Sequence, residues 1–159
     1  EKYSLDVKGL AKKGHAFTSN KDSNILSTLD IDSIIQCDYL TVHPDENLTK
    51  LVDLISHSNQ VVFAVVNQEK DLVGVVHFND IREIIFNSYR VKYTFIRDVM
   101  KAPAATISTL DSMEFVMRKF ETTKSAFLPV LREGKYHGFI SKSIALEAYR
   151  TKLRSMTIE

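Results

Sequence analysis

The stretch "GVVHFND", residues 74–80, ends a hydrophobic run in His77 and places Asp80 three residues later, where a helix should begin. A carboxylate at such a junction can accept hydrogen bonds from the hydroxyls of a bound sugar. It can equally serve the helix itself, because "DIRE" (80–83) puts Glu83 three residues after Asp80, the spacing of a capping box. An imidazole in the same place would attract an anion only when protonated. Other chemistry is missing from the sequence. The five histidines (His15, His43, His57, His77 and His137) fall at no metal-ligand spacing. There is no glycine-rich phosphate loop and no Gly-x-Ser-x-Gly elbow. The single Cys37 has no partner thiol, and its neighbour Asp38 is not the paired base that a thiol nucleophile needs. Cys37 reads as an incidental loop thiol, and the chain as a non-enzyme without a metal.

The elements that must position Asp80 occur twice. Leu48, Leu51, Val52 and Ile55 mark one face of a helix, and Met113, Val116, Met117 and Phe120 repeat that face 65 residues on. "FAVV" (63–66) returns as "LPVL" (128–131), and Thr41 returns as Thr106. One residue is then dropped in a turn. Gly74 falls on Gly138, and Ile81, Ile84 and Ile85 fall on Ala145, Ala148 and Tyr149, at an offset of 64. Each copy reads as β-α-β-β-α. A short extended piece (40–42; 105–107) precedes "HPDE" or "STLD", where Pro44 and Asp45, or Thr109 and Asp111, suit a helix start. A buried strand (61–66; 126–131), a polar turn, a second strand (72–78; 137–141) and a second helix follow. A unit of about sixty residues has a thin core alone. The predicted fold class is therefore α/β (α+β), two repeats related by a pseudo-twofold with a ligand cleft between them.

Composition sets the outer bounds. The chain has 159 residues, 44% hydrophobic, with a formal net charge of +1, so nothing demands nucleic acid or an anionic surface. No apolar run approaches the ~20 residues of a membrane span. The first residues are polar and charged, unlike a signal peptide. Because the sequence starts at Glu1 without Met, it is expected to be cut from a longer protein.

The paired "hPVh" strands, the junctions opening "Ghh", and the openings "IDSII" (31–35) and "IRDVM" (96–100) resemble tandem CBS domains, a Bateman module. The resemblance covers roughly 31–150. It divides the chain into a linker (1–30), CBS domain 1 (31–90), CBS domain 2 (91–150) and a tail (151–159). The leading segment with "GLAKKGHAF" is similar to the linker between the last membrane helix and the first CBS domain of CLC chloride channels and transporters. That implies a cytoplasmic regulatory module of a CLC-family channel or chloride/proton antiporter, at the cytoplasmic side of the cell membrane. Its partners would be the membrane-embedded transporter domain of the same chain and a second copy in a homodimer. Two alternatives stand beside it: a ligand-free structural and dimerisation module, and a regulatory CBS pair of another transporter or enzyme.

The resemblance also implies a site. Nucleotide-binding CBS junctions read Gly-h-h-[Ser/Thr]-x-x-Asp, the Asp taking the ribose and the hydroxyl reaching a phosphate. Each site joins one copy's junction to the other copy's lead-in strand. Here the pattern is split, since "GVVHFND" keeps Asp80 but has His77 for the hydroxyl, while "GFISKSI" keeps Ser141 but has Ile144 for the acid. An isoleucine leaves ribose hydroxyls unpaired, at ~1–3 kcal/mol for each. The ATP site implied by CLC relatives would fall on Ile144, Thr41, Gln60 and Val61 and is expected to bind poorly; Thr41 and Ser141 are what it retains. The other site would combine Asp80 and His77 with Ala105, Thr106 and Ser125, for AMP, ADP or ATP. Against this stands the plain helix-cap reading of Asp80, with no small-molecule cofactor at all.

Overall fold

A computed structural model describes residues 20–158 of the chain. Helix α1 (Asn20–Ser27) leads in. The first copy follows as β1 (Thr41–Val42), α2 (Leu48–Ser56), β2 (Val62–Val66), β3 (Leu72–His77), α3 (Phe78–Ile81) and α4 (Ser88–Tyr93). The second copy is β4 (Ile107–Ser108), α5 (Met113–Thr123), β5 (Phe127–Arg132), β6 (Lys135–Ser141) and α6 (Lys142–Ile158). This is the expected α+β class with two β-α-β-β-α repeats. Each makes a three-stranded sheet, β1-β2-β3 or β4-β5-β6, with its first pair parallel and its second antiparallel. Both central strands carry a register shift at the same place, Val65/Val66 and Val130/Leu131. The dropped residue lies in the second hairpin. Arg132 pairs with Lys135 across Glu133 and Gly134, which hold φ of 52° and 81°, as a two-residue type I′ turn requires.

Local signals err in three places. The helices after the turns begin later than Pro44–Asp45 and Thr109–Asp111 suggest. Asn47 caps α2 by accepting from the Thr49 amide, and Ser112 caps α5 by accepting from the Phe115 amide. Asp111 instead accepts from the Ser108 amide at 2.8 Å and ties the preceding turn. The second helix of the first copy is broken into α3, a 3-10 turn (Ile84–Phe86) and α4, which Asn87 caps anew. Several strand ends shift by one or two residues; β6, for example, starts at Lys135 and β3 ends at His77.

Each copy's lead-in segment packs into the other copy. Ile31 and Ile34 lie in the core of the second copy with Phe120, Leu128 and Ile140, and Leu26 of α1 joins them. Ile96 lies in the core of the first copy with Leu48, Leu51 and Phe63, and Val99 and Met100 pack against it. The backbone exchange is just as reciprocal. Gln36 pairs with Phe139 of β6 (2.8 and 3.0 Å), and Lys101 pairs with Val75 of β3 (2.9 and 2.8 Å). These residues are related by the repeat offsets.

The exchange gives both repeat glycines their reason. A Cβ on Gly138 would stand 2.5 Å from the Gln36 carbonyl oxygen, and one on Gly74 would stand 2.8 Å from Met100 Sδ. Side chains alternate along β2 and β5. Phe63 and Val65, or Leu128 and Val130, face their own helices, while Val62, Ala64, Val75, Phe127 and Phe139 meet between the copies. The hairpin tips meet too, through Lys135 Nζ and Asp71 Oδ1 at 2.7 Å and through the Tyr136 amide donating to the Lys70 carbonyl at 3.0 Å. The stretch "GLAKKGHAF" (9–17) lies outside the described residues. Among the described residues no helix is long and apolar enough to cross a membrane.

Candidate ligand-binding cleft

Two pseudo-equivalent clefts flank the contact between the copies, and they differ. The first is a cavity of about 160 Å³. Its floor is apolar, made by Val62, Val75, Phe127, Pro129 and Phe139. Its rim brings His77 from β3 together with Ser125 and the lead-in residues Lys101–Ala104 of the second copy. The backbone pairing of Lys101 with Val75 holds that lead-in beside His77. A purine fits an apolar floor of this kind, and the rim supplies the few convergent polar groups a small-molecule site uses.

Asp80 does not line this cavity and stands beside it, next to the lining residue Lys101. The capping-box reading is not what the structure holds. Helix α3 begins at Phe78 with His77 in the N-cap position, and no side-chain cap bond forms there. Asp80 lies inside the first turn, and its Oδ2 is 3.4 Å from Lys101 Nζ. The pair is exposed, with the carboxylate side chain 35% and the lysine side chain 65% accessible. Asp80 is thus an available acceptor beside the cavity, paired among the described residues with one exposed lysine.

Of the residues expected here, His77 and Ser125 line the cavity and Asp80 flanks it through Lys101. Ala105 and Thr106 do not line it. Ala105 turns its side chain to the core of the second copy, and Thr106 is exposed. The lead-in wall is made by the residues just before them, Ala102, Pro103 and Ala104. Sequence reasoning missed these, and it missed Lys101 and Phe127. The alternation along β5 could have pointed to Phe127 and Pro129, since their neighbours Leu128 and Val130 are the obvious core face.

The mirror cleft is filled from within. Tyr39 stands where the repeat places Ala104 on the other side. Its ring lies 5.4 Å from Phe139 and 6.4 Å from Phe127. Burial and the nearby Asp38 push its phenol above its ordinary range. Gln60 stands where the other side has Ser125. Its amide accepts from the Leu40 N–H (2.9 Å) and donates to the Leu40 carbonyl (2.8 Å), so the lead-in backbone is clamped by the protein's own side chain. Ser125 is too short to make such a clamp. Pro129, replacing Ala64, also lacks a backbone N–H, and β4 pairs with β5 from Ile107–Val130 onward, one repeat position later than the Thr41–Ala64 start of β1 on β2. Ser141 is buried, shares a hydrogen bond with Ser143 Oγ (2.8 Å) and accepts from the Ile144 amide, so it serves the start of α6. Thr41 lines an open surface concavity of about 510 Å³ with Lys50, Lys70 and Tyr136. Burial, with Cys37 and Tyr39 adding to it, pushes the Tyr136 phenol up. Cys37 does have a neighbour that the sequence hid: His137 Nε2 lies 3.5 Å from its Sγ. Among the described residues no group of three His, Cys, Asp or Glu side chains could hold a metal ion.

Comparison with known proteins agrees with the repeat. The family described as CBS domain matches twice, at residues 31–87 and 96–151. No curated protein sequence matches the chain. Among solved structures, CbpB in complex with c-di-AMP is similar at a TM-score of 0.68 and 19% identity, covering 86% of this chain and 93% of that one; a CbpB structure from Streptococcus agalactiae is similar at 0.67 and 22%, covering 86% and 89%. The CBS domain of a bacterial CNNM/CorC family Mg2+ transporter in complex with ATP reaches 0.71 at 14% identity, covering 80% and 92%. At these identities the likeness is one of fold.

Proposed function

This chain belongs to the CBS-domain family, and on that premise we propose that it is a regulatory module that takes one adenine nucleotide per chain in the His77–Ser125 cleft. One observation carries the reading. The fold brings His77, Ser125 and the second copy's lead-in around an apolar cavity beside Asp80, while Tyr39 and Gln60 fill the mirror cleft. The purine would lie on Phe127 and Pro129, the ribose would take Asp80, and a phosphate would approach His77. The complexes with c-di-AMP, ATP and AMP among structures of this fold support the ligand class. The cavity of about 160 Å³ is below the ~300–1,000 Å³ of typical ligand sites, so the rim must open on binding. Ligand would favour one arrangement of the two copies and pass that bias to an attached domain. We propose no catalytic role. The proposed attached domain is a CLC-type membrane part, on the resemblance of residues 1–30, which would put the module at the cytoplasmic side of the membrane. Sequencing the coding region upstream of Glu1 tests this: a hydrophobic helix there supports a transporter parent, and a soluble domain refutes it.

Calorimetric titration of folded protein with AMP, ADP and ATP tests the ligand. Binding at one site per chain, removed by Asp80→Ala and kept by Ser141→Ala, is expected. No heat with any of the three would overturn the reading. A second reading, assembly into a homodimer, is favoured by one observation. Phe86, Tyr89 and Tyr93 are 83, 72 and 62% exposed on adjoining turns, and the two tyrosine rings lie 4.7 Å apart, tilted at 46°. Sedimentation of the chain across concentration decides it.

A further inference from the structure

We infer that Lys101 makes the proposed cleft selective for a phosphorylated nucleoside, by trading its contact with Asp80 for one with the ligand's phosphate. The inference rests on the nucleotide reading above and specifies it. Lys101 lines the cavity, and its ammonium lies 3.4 Å from the carboxylate that the ribose would need. Its backbone is fixed by pairing with Val75, so only the side chain has to move. That side chain is 65% exposed, and exposed ion pairs of this kind are weak, so the latch opens at little cost. The repeat shows that the pair belongs to this cleft alone. The residues equivalent to Lys101 and Asp80 in the mirror cleft are Gln36 and Ile144, neither of them charged.

The consequence is a discrimination. A nucleoside that takes Asp80 leaves Lys101 without its partner and offers nothing in return. A nucleotide brings a phosphate to the same rim, where the freed ammonium and His77 can meet it. A charge-assisted contact with the phosphate then replaces the ion pair given up.

The test compares AMP with adenosine on the wild-type chain and on Lys101→Met and Lys101→Arg, by calorimetry, with thermal unfolding as a check of folding. Wild type should prefer AMP over adenosine by about tenfold or more, the scale of a charge-assisted contact. Lys101→Met should lose most of that ratio, with weaker AMP binding and adenosine binding unchanged or stronger. Lys101→Arg should keep it. An unchanged ratio in Lys101→Met, with both ligands still bound, would overturn the inference and leave the nucleotide site standing. No binding of either ligand to wild type would overturn the site itself and this inference with it.

Discussion

Replacing each repeat glycine by alanine tests the exchange of lead-in segments, because the two sites differ in what they press against. Neither glycine has a positive φ, so alanine is compatible with both backbones. At Gly138 the new Cβ would stand 2.5 Å from the Gln36 oxygen and 3.1 Å from its carbonyl carbon, so backbone must move. Overpacking of this kind costs about 1–3 kcal/mol. The shift also strains the two hydrogen bonds between Gln36 and Phe139, at about 0.5–1.5 kcal/mol each if lost. The lower chain entropy of alanine in the unfolded state returns about 0.4–1 kcal/mol. The net for Gly138→Ala is about 2–4 kcal/mol, or roughly 5–12 °C in Tm for a chain of this size. At Gly74 the close atoms all belong to the Met100 side chain: its thioether at 2.8 Å can rotate aside, and its Cβ at 3.1 Å has to give by only a few tenths of an ångström. Gly74→Ala should therefore cost about 1 kcal/mol or less. Thermal and urea unfolding of the two variants beside wild type measure this. A Gly138→Ala no more costly than Gly74→Ala would refute the close backbone approach on which the exchanged fold depends.

Three further outcomes are expected. The combined variant Tyr39→Ala, Gln60→Ser and Ile144→Asp should empty and complete the mirror cleft, and titration with AMP should then read two sites per chain in place of one. Hydrogen bonds from Lys135, and after them from Asn67, hold the Asp71 carboxyl below its ordinary value of 3.8. This link between the hairpins therefore contributes above that value and is lost as pH falls through the depressed one, so Asp71→Asn should lower Tm slightly near neutral pH and leave it unchanged in acid strong enough to protonate the carboxyl in the folded chain. Phe86→Ser with Tyr89→Ser should abolish any self-association seen by sedimentation while leaving Tm near that of wild type, since both side chains are largely exposed.

The repeat was legible because its signals are local. A helix face such as Leu48, Leu51, Val52 and Ile55 shows its period in one turn after another, and a second copy at a constant offset is hard to mistake. The exchange of Ile31 and Ile96 between copies was not legible, because a lead-in segment has the same apolar pattern whichever core receives it. Lys101 escaped notice for the same reason: its place beside Asp80 follows from the exchange and not from spacing along the chain. The capping box at Asp80 was a false local signal. Its spacing is right, but the strand's last residue, His77, already holds the cap position. Gln60 reads from the sequence only as a departure at the ATP site the resemblance implies, and Tyr39 carries no signal there; only their contacts with Phe139 and Leu40 show that they fill a cleft. Likewise Cys37 and His137 meet across a hundred positions.

The central claim is that the two clefts are unequal and that the Asp80 side takes the nucleotide. Backbone amide shifts recorded by NMR during titration with AMP test it residue by residue. The account predicts that His77, Asp80, Lys101, Ala104 and Ser125 move with saturation at one ligand per chain, and that Tyr39, Leu40, Gln60 and Ile144 stay nearly still. Shifts centred on Tyr39 and Ile144, with the Asp80 side unmoved, would contradict it.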